Sequence, residues 1–172
     1  MATESQKKFA RSVYAAARTA SDIAPEFVTA QAILETGWGK SKVGKYNIFG
    51  ITKGSNWTGK TILVLTHEYF NTPHRTFTPP ERIVSVAKVK NKNTWYYKVY
   101  RLFKDFDSLE DCLREHSRLL QKPGYADAWA YRKDAEEFAR RICDNTGSKY
   151  ATDPNYMYTI TSLIKTVRKI CG

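Results

Sequence analysis

Apolar residues recur at helical spacing towards both ends of the chain and lose that spacing in the middle. Over about residues 5 to 44, Phe9, Val13, Ala16, Ala17 and Ala20 fall on one face of a first expected helix. A second begins near Pro25, whose fixed φ suits the first helical position. Its inward stripe is Phe27, Ala30 and Leu34, and Gly37, just past Glu35, is the expected stop. From residue 46 to 103, β-branched and aromatic runs stand between turn residues instead. Thr61 to Phe70, Ile83 to Val89 and Trp95 to Phe103 read as strands, separated by Asn71-Thr72-Pro73 and Lys90-Asn91-Lys92-Asn93. A small antiparallel sheet, or long hairpins, is expected there.

The helical period returns three times after Asp107. Ser108-x-x-Asp111 resembles a capping box ahead of Leu109, Cys112, Leu113, His116 and Leu120, with an end at Pro123-Gly124. Asp134-x-x-Glu137 opens the stripe Ala135, Phe138, Ala139, Ile142 and Cys143, stopped near Gly147. Asp153-Pro154 is placed to cap a last helix with Ile160, Leu163, Ile164, Val167 and Cys171 inward. The pattern predicts an α+β fold, mostly helical, with a β-rich lobe over about residues 52–103. Residues 1–172 are expected to form one domain.

With 42% hydrophobic and 26% charged residues, the 172-residue chain has the composition of a folded domain rather than a disordered one. Its apolar runs are too short for membrane insertion. The 28 Lys and Arg against 17 Asp and Glu give a net charge of +11, which favours polyanions without choosing among them. Cys112, Cys143 and Cys171 form no C-x-x-C pair, so buried free thiols are expected. The polar start from Met1 to Lys8 has no apolar stretch of the signal-peptide kind.

The segment Ala30-Gln31-Ala32-Ile33-Leu34-Glu35-Thr36-Gly37-Trp38-Gly39 places a carboxylate at a helix end among apolar residues. The negative end of the helix dipole and partial burial beside Trp38 both disfavour ionisation, so both raise its pKa. A glutamic acid against a tryptophan with a raised pKa is a known solution for a general acid near neutral pH. A solvated last-turn glutamate is the alternative these residues alone leave open. His67-Glu68 begins like a zinc protease motif, but position 71 is Asn71, so no metal site is expected. Cys112 and His116 lie on an inward stripe and read as core rather than as a nucleophile and its base.

Glu35-Thr36-Gly37-Trp38-Gly39-Lys40-Ser41 followed by Tyr46-Asn47-Ile48-Phe49-Gly50-Ile51 resembles the E-[ST]-G-W-G-x-S…N-[LI]-F-G-I signature of glycoside hydrolase family 73. Three further segments resemble that family in order: Thr66-His67-Glu68-Tyr69, Tyr100-Arg101-Leu102-Phe103, and Tyr150-Ala151-Thr152-Asp153-Pro154-x-Tyr156. Tyr46 stands where the family often has asparagine, and Tyr100 and Phe103 exchange aromatic types. The resemblance implies a lysozyme-like fold with a substrate cleft between a helical lobe and a β-rich lobe. It implies Glu35 as catalytic acid, Glu68 as second carboxylate and Tyr150 in the cleft beside the reacting sugar. Trp38, Asn47, Phe49, Tyr69 and Tyr156 are the expected sugar contacts. Aromatic faces suit sugar rings, although most aromatics are core. For Glu68, a solvent-facing strand residue is the competing reading.

The implied activity is hydrolysis of the β-1,4 bond after N-acetylglucosamine in peptidoglycan, without cofactor, by a monomer of the autolysin or endolysin kind acting at the bacterial cell wall. Export is then expected through a holin-type pore, by another secretion route, or as part of a longer secreted protein. A lytic transglycosylase or a muramidase would use the same acid. A non-catalytic wall-binding or nucleic-acid-binding module is the alternative from another class. The basic runs Lys88-Val89-Lys90-Asn91-Lys92 and Arg140-Arg141 lie in reach of base-stacking aromatics, yet they equally suit attraction to an anionic wall. Nucleic acid is not the expected partner; glycan strands are.

Overall fold

The computed structural model describes residues 1–144 and 155–172. Its first helix, α1 (Glu4–Ala20), starts at a capping box in which the Thr3 hydroxyl accepts from the Gln6 N–H (3.2 Å) and the Gln6 side chain accepts from the Thr3 N–H (2.8 Å). The second, α2 (Pro25–Thr36), is buried on every side between Phe27 and Ile33, because α1, α5 (Ala135–Asp144) and α6 (Tyr156–Cys171) all pack around it. Leu34 departs from the expected inward stripe. It is 37% exposed, and with Glu35 it forms the part of this central helix that reaches solvent.

The strands are β1 (Thr61–Phe70), β2 (Arg82–Lys88) and β3 (Trp95–Lys104). They form one sheet in the order β1-β3-β2, both neighbours antiparallel to the central β3. The first two strands therefore run the same way and cannot be joined as a hairpin. Residues 71–81 must instead cross back over one face of β3, the geometric demand of any such connection. Of the expected long hairpins, only β2–β3 is one. The crossover buries Tyr97 completely: the phenol donates to the Thr72 carbonyl (2.6 Å) and accepts from the Arg75 N–H (3.2 Å).

Next come α3 (Leu109–Leu119), a 3-10 turn at Pro123–Tyr125 and the short α4 (Ala126–Trp129), leading to α5. The expected caps form: the Ser108 hydroxyl accepts from the Asp111 N–H and the Asp134 carboxylate from the Glu137 N–H, each at 3.1 Å. The expected stop near Gly147 and the Asp153-Pro154 cap lie outside the described residues. Cys112, Leu113, Phe138, Ala139, Ile142, Ile160, Ile164 and Val167 complete one core under the helices. No helix among the described residues is long and apolar enough to cross a membrane.

Helices pack chiefly on helices and strands on strands, so the sheet projects as a lobe of its own. Residues 46–60 and the end of β3 join the two. The Lys53 N–H donates to the Leu102 carbonyl (2.8 Å) and the Lys104 N–H to the Ile51 carbonyl (3.0 Å). Lys104, 5% exposed, forms an ion pair with Glu115 of α3 at 2.7 Å.

Candidate active site

Glu35 lies in the last turn of α2, one residue short of three consecutive residues in the left-handed region: Gly37 (φ 56°), Trp38 (φ 63°) and Gly39 (φ 85°). Glycine adopts this conformation freely, whereas Trp38 does so at a cost of about 1–2 kcal/mol. Thr36 holds the turn: its hydroxyl donates to the Ala32 carbonyl (2.6 Å) and accepts from the Gly39 N–H (2.7 Å). The Ser41 N–H also closes on the Thr36 carbonyl at 2.9 Å. The chain thereby leaves the helix abruptly, and the Glu35 side chain stands open to solvent at the corner. It is nevertheless surrounded by enough protein for burial to raise its pKa above the ordinary carboxylate value.

Beneath this corner lies a polar contact inside the core. Gln31, one turn before Glu35, meets His116 of α3 at 2.5 Å between Oε1 and Nε2, and both are buried. Burial pushes the His116 pKa down to about 3, so the ring is neutral at physiological pH. Phe49 stacks on that imidazole with centroids 3.9 Å apart. The Phe49 segment is thus referenced to the same helix that carries Glu35.

Asn47 is 1% exposed and fully committed within the protein. Its amide donates to the Ile51 carbonyl (3.0 Å) and the Lys104 carbonyl (2.9 Å), while its oxygen accepts from the Ile51 N–H (3.0 Å). No amide hydrogen is left for a sugar, so Asn47 braces the junction of the two lobes rather than making the expected substrate contact. Tyr156, at the start of α6, is 6% exposed and belongs to the core, which leaves little of its ring for substrate. Trp38 is half-buried and packs against the core. Tyr150 lies outside the described residues.

On the sheet, alternation separates two of the expected residues. Glu68 pairs with Tyr97 on the face the crossover covers, and Tyr69 points to the other face beside Tyr96, centroids 5.1 Å apart. Tyr69 is 63% exposed there, away from Glu68. Glu68 is half-buried and ion-paired with Arg101, which also holds Glu81 of the crossover at 2.7 Å. Sequence reading gave Arg101 and Glu81 no role. The available signal was the register, which puts odd residues of β3 on the face of even residues of β1. A broad concavity between residues 51–59 and α3, lined by Lys53, Trp57, Lys104, Glu115, Arg118 and Lys122, includes neither Glu35 nor Glu68.

A helical body joined to a small three-stranded sheet is the architecture of lysozyme-like peptidoglycan hydrolase domains. The chain belongs to the glucosaminidase family, glycoside hydrolase family 73: the family model described as mannosyl-glycoprotein endo-beta-N-acetylglucosaminidase matches residues 11–169. It is 31% identical over 169 residues, 95% of its own length, to the "Probable N-acetylmuramidase" of Lactococcus lactis subsp. lactis (strain IL1403). The chain spans 34% of that relative's length. A crystal structure of a peptidoglycan hydrolase mutant from Sphingomonas sp. A1 is similar with TM-score 0.66 and 29% identity, covering 95% of this chain and 97% of the other. The glycoside hydrolase domain of Salmonella typhimurium FlgJ is similar with TM-score 0.69 and 25% identity, covering 96% and 89%.

Proposed function

We propose that this domain hydrolyses the β-1,4 bond after N-acetylglucosamine in the glycan strands of peptidoglycan, at the bacterial cell wall, with Glu35 as general acid. The observation that carries the reading is the state of Glu35: accessible at the corner after α2, yet with its pKa raised by burial. Cleaving a glycosidic bond requires a proton for the leaving oxygen, and a carboxyl that burial makes hold its proton to higher pH than a free one is suited to supply it. Leu34, exposed next to it, offers an apolar surface to a sugar ring.

The oxocarbenium-like centre then has to be captured. Glu68 is the second carboxylate in this reading, either activating a water or stabilising positive charge while the substrate's 2-acetamido group attacks. The first course inverts the anomeric configuration and the second retains it. Tyr150 is proposed to line the cleft beside the reacting sugar, with Trp38 and Phe49 contributing to its walls.

A muramidase reading is favoured by one observation, the name of the Lactococcus relative, "Probable N-acetylmuramidase". The test treats purified sacculi with the parent protein and with Glu35→Gln, then reduces the soluble fragments with borohydride before mass spectrometry. Reducible N-acetylglucosamine ends, absent with the variant, are expected. Reducible N-acetylmuramic acid ends would move the cleaved bond, anhydro ends would mean a lytic transglycosylase, and no fragments from several wall types would leave a binding module.

A further inference from the structure

We propose that Arg101 and Glu81 are positioning residues for the Glu68 carboxylate, an inference that rests on Glu68 being the second carboxylate of the reaction. Arg101 divides its fork between two acids. Nη1 donates to Oε2 of Glu68, while Nε donates to Oε2 of Glu81 at 2.7 Å. That same Glu81 oxygen accepts the Leu102 N–H at 2.9 Å, so Glu81 is tied to the β3 backbone as well as to its side chain. The Phe77 ring lies 4.9 Å from the guanidinium carbon and limits its swing. With the Nε side anchored and one face covered, the planar fork directs Nη1 at Glu68.

The crossover that supplies Glu81 is itself fastened. Tyr97 holds the Thr72 carbonyl and the Arg75 N–H, and the Arg75 guanidinium sits 4.7 Å from the centre of the Phe70 ring. The orientation of Glu68 is therefore referenced to the sheet through two rigid steps. The three side chains are 24% (Glu68), 16% (Arg101) and 18% (Glu81) exposed, well below the exposure of a surface ion pair.

Two partly desolvated carboxylates on one cation leave an excess negative charge. An apolar cluster would fill the same face at lower desolvation cost. Such an arrangement is explicable where one acid must be held with an oxygen free. Arg101 engages Oε2 of Glu68, and among the described residues none donates a hydrogen bond to Oε1. One oxygen fixed and one open is what a carboxylate needs to meet a water or a developing cation in a set direction. A simple staple of loop to strand would give the same ion pairs, so the test separates the two roles.

The experiment measures kcat and KM for reducing-end release from soluble glycan chains with Glu68→Gln, Arg101→Ala, Glu81→Gln and the double variant Glu68→Gln/Arg101→Ala. Thermal unfolding is followed for each. Arg101→Ala is expected to lower kcat about tenfold to a hundredfold with KM little changed, the scale of a misplaced catalytic group. Guanidinium ion at millimolar concentration should restore part of it. Glu81→Gln keeps an acceptor for the Leu102 N–H and removes the charge, and it should lower kcat in the same sense by a smaller factor.

In the Glu68→Gln background, Arg101→Ala should cost little more, because the two act as a unit. Equal losses in both backgrounds, or an unchanged kcat in Arg101→Ala and Glu81→Gln while Glu68→Gln is impaired, would overturn the positioning role and leave the reading of Glu68 standing. Full activity in Glu68→Gln would remove that reading itself. Should Arg101→Ala fail to fold, Arg101→Lys replaces it. The lysine keeps the charge without the divided fork, so an undiminished kcat would refute the proposal.

Discussion

Gly39 passes so close to Phe9 that a Cβ built on it would lie 2.5 Å from the Phe9 Cδ2 atom. At Gly37, two residues earlier, a Cβ meets nothing within 4 Å, although both glycines have positive φ. The sharp turn after Glu35 thus depends on one glycine for conformation alone and on the other for conformation and space. Gly37→Ala should cost about 1–2 kcal/mol, the penalty of left-handed backbone. Gly39→Ala should cost more and lower activity beyond its effect on stability, since relief requires the Phe9 ring, α1 or the turn itself to move. Chemical denaturation and kcat on the folded fraction check both; equal costs would contradict the packing argument.

Glu35→Gln should abolish hydrolysis and raise thermal stability at neutral pH. The sign follows from the raised pKa: the folded carboxyl holds its proton to higher pH than the unfolded one, so ionisation disfavours the fold. This penalty is absent below the ordinary value of about 4.3 and fully present above the folded pKa. The stability gain of Glu35→Gln should accordingly vanish in acid. For the parent enzyme, kcat/KM should fall on the alkaline side with a midpoint above the ordinary carboxylate value. A variant less stable than the parent at pH 7 would contradict the assignment.

At the lobe junction, hydrogen bonds from Arg118 and Lys104 hold the Glu115 carboxyl down to about 2. The stability it contributes is present above about pH 4.3 and is lost as the pH falls towards 2. Glu115→Gln should remove that dependence and strand the buried Lys104 charge. A loss of roughly 3–5 kcal/mol in urea unfolding at pH 7 is expected.

Replacing Asn47 by Ala removes the acceptor of the Ile51 N–H and a donor to the Lys104 carbonyl, while the Ile51 carbonyl keeps the Lys104 N–H; each buried group left unsatisfied costs roughly 1–3 kcal/mol. The melting temperature should fall. KM of the folded fraction should change little, and a large rise in KM at preserved stability would return Asn47 to substrate contact.

Local pattern carried much of the architecture. Strands β1 and β3 lie almost where alternation puts them, and Ser108 and Asp134 cap the helices their spacing indicated. The end of α2 follows from Gly37, because only a residue tolerant of left-handed backbone stops a helix so abruptly. Glu35 at that end could be named from the sequence for the same local reason.

Periodicity, however, states which face of an element is apolar, not what will cover it. Leu34 falls on an apolar stripe yet reaches solvent, while Phe27 to Ile33 of α2 are enclosed by helices from both ends of the chain. Asn47 reads as a polar candidate in a motif, and only the approach of Lys104, far along the chain, consumes its amide.

The sequence by itself determined the approximate extents of α1, α2 and the three strands, the mixed helical and β character, and the place of Glu35 at the end of the second helix. Only the tertiary structure decided that β3 lies between β1 and β2, that residues 71–81 cross its face, and that Arg101 joins Glu68 to Glu81. The physical reason is range. Backbone propensity and capping act within a few residues, whereas strand order and the partners of buried charges depend on contacts closed between distant segments.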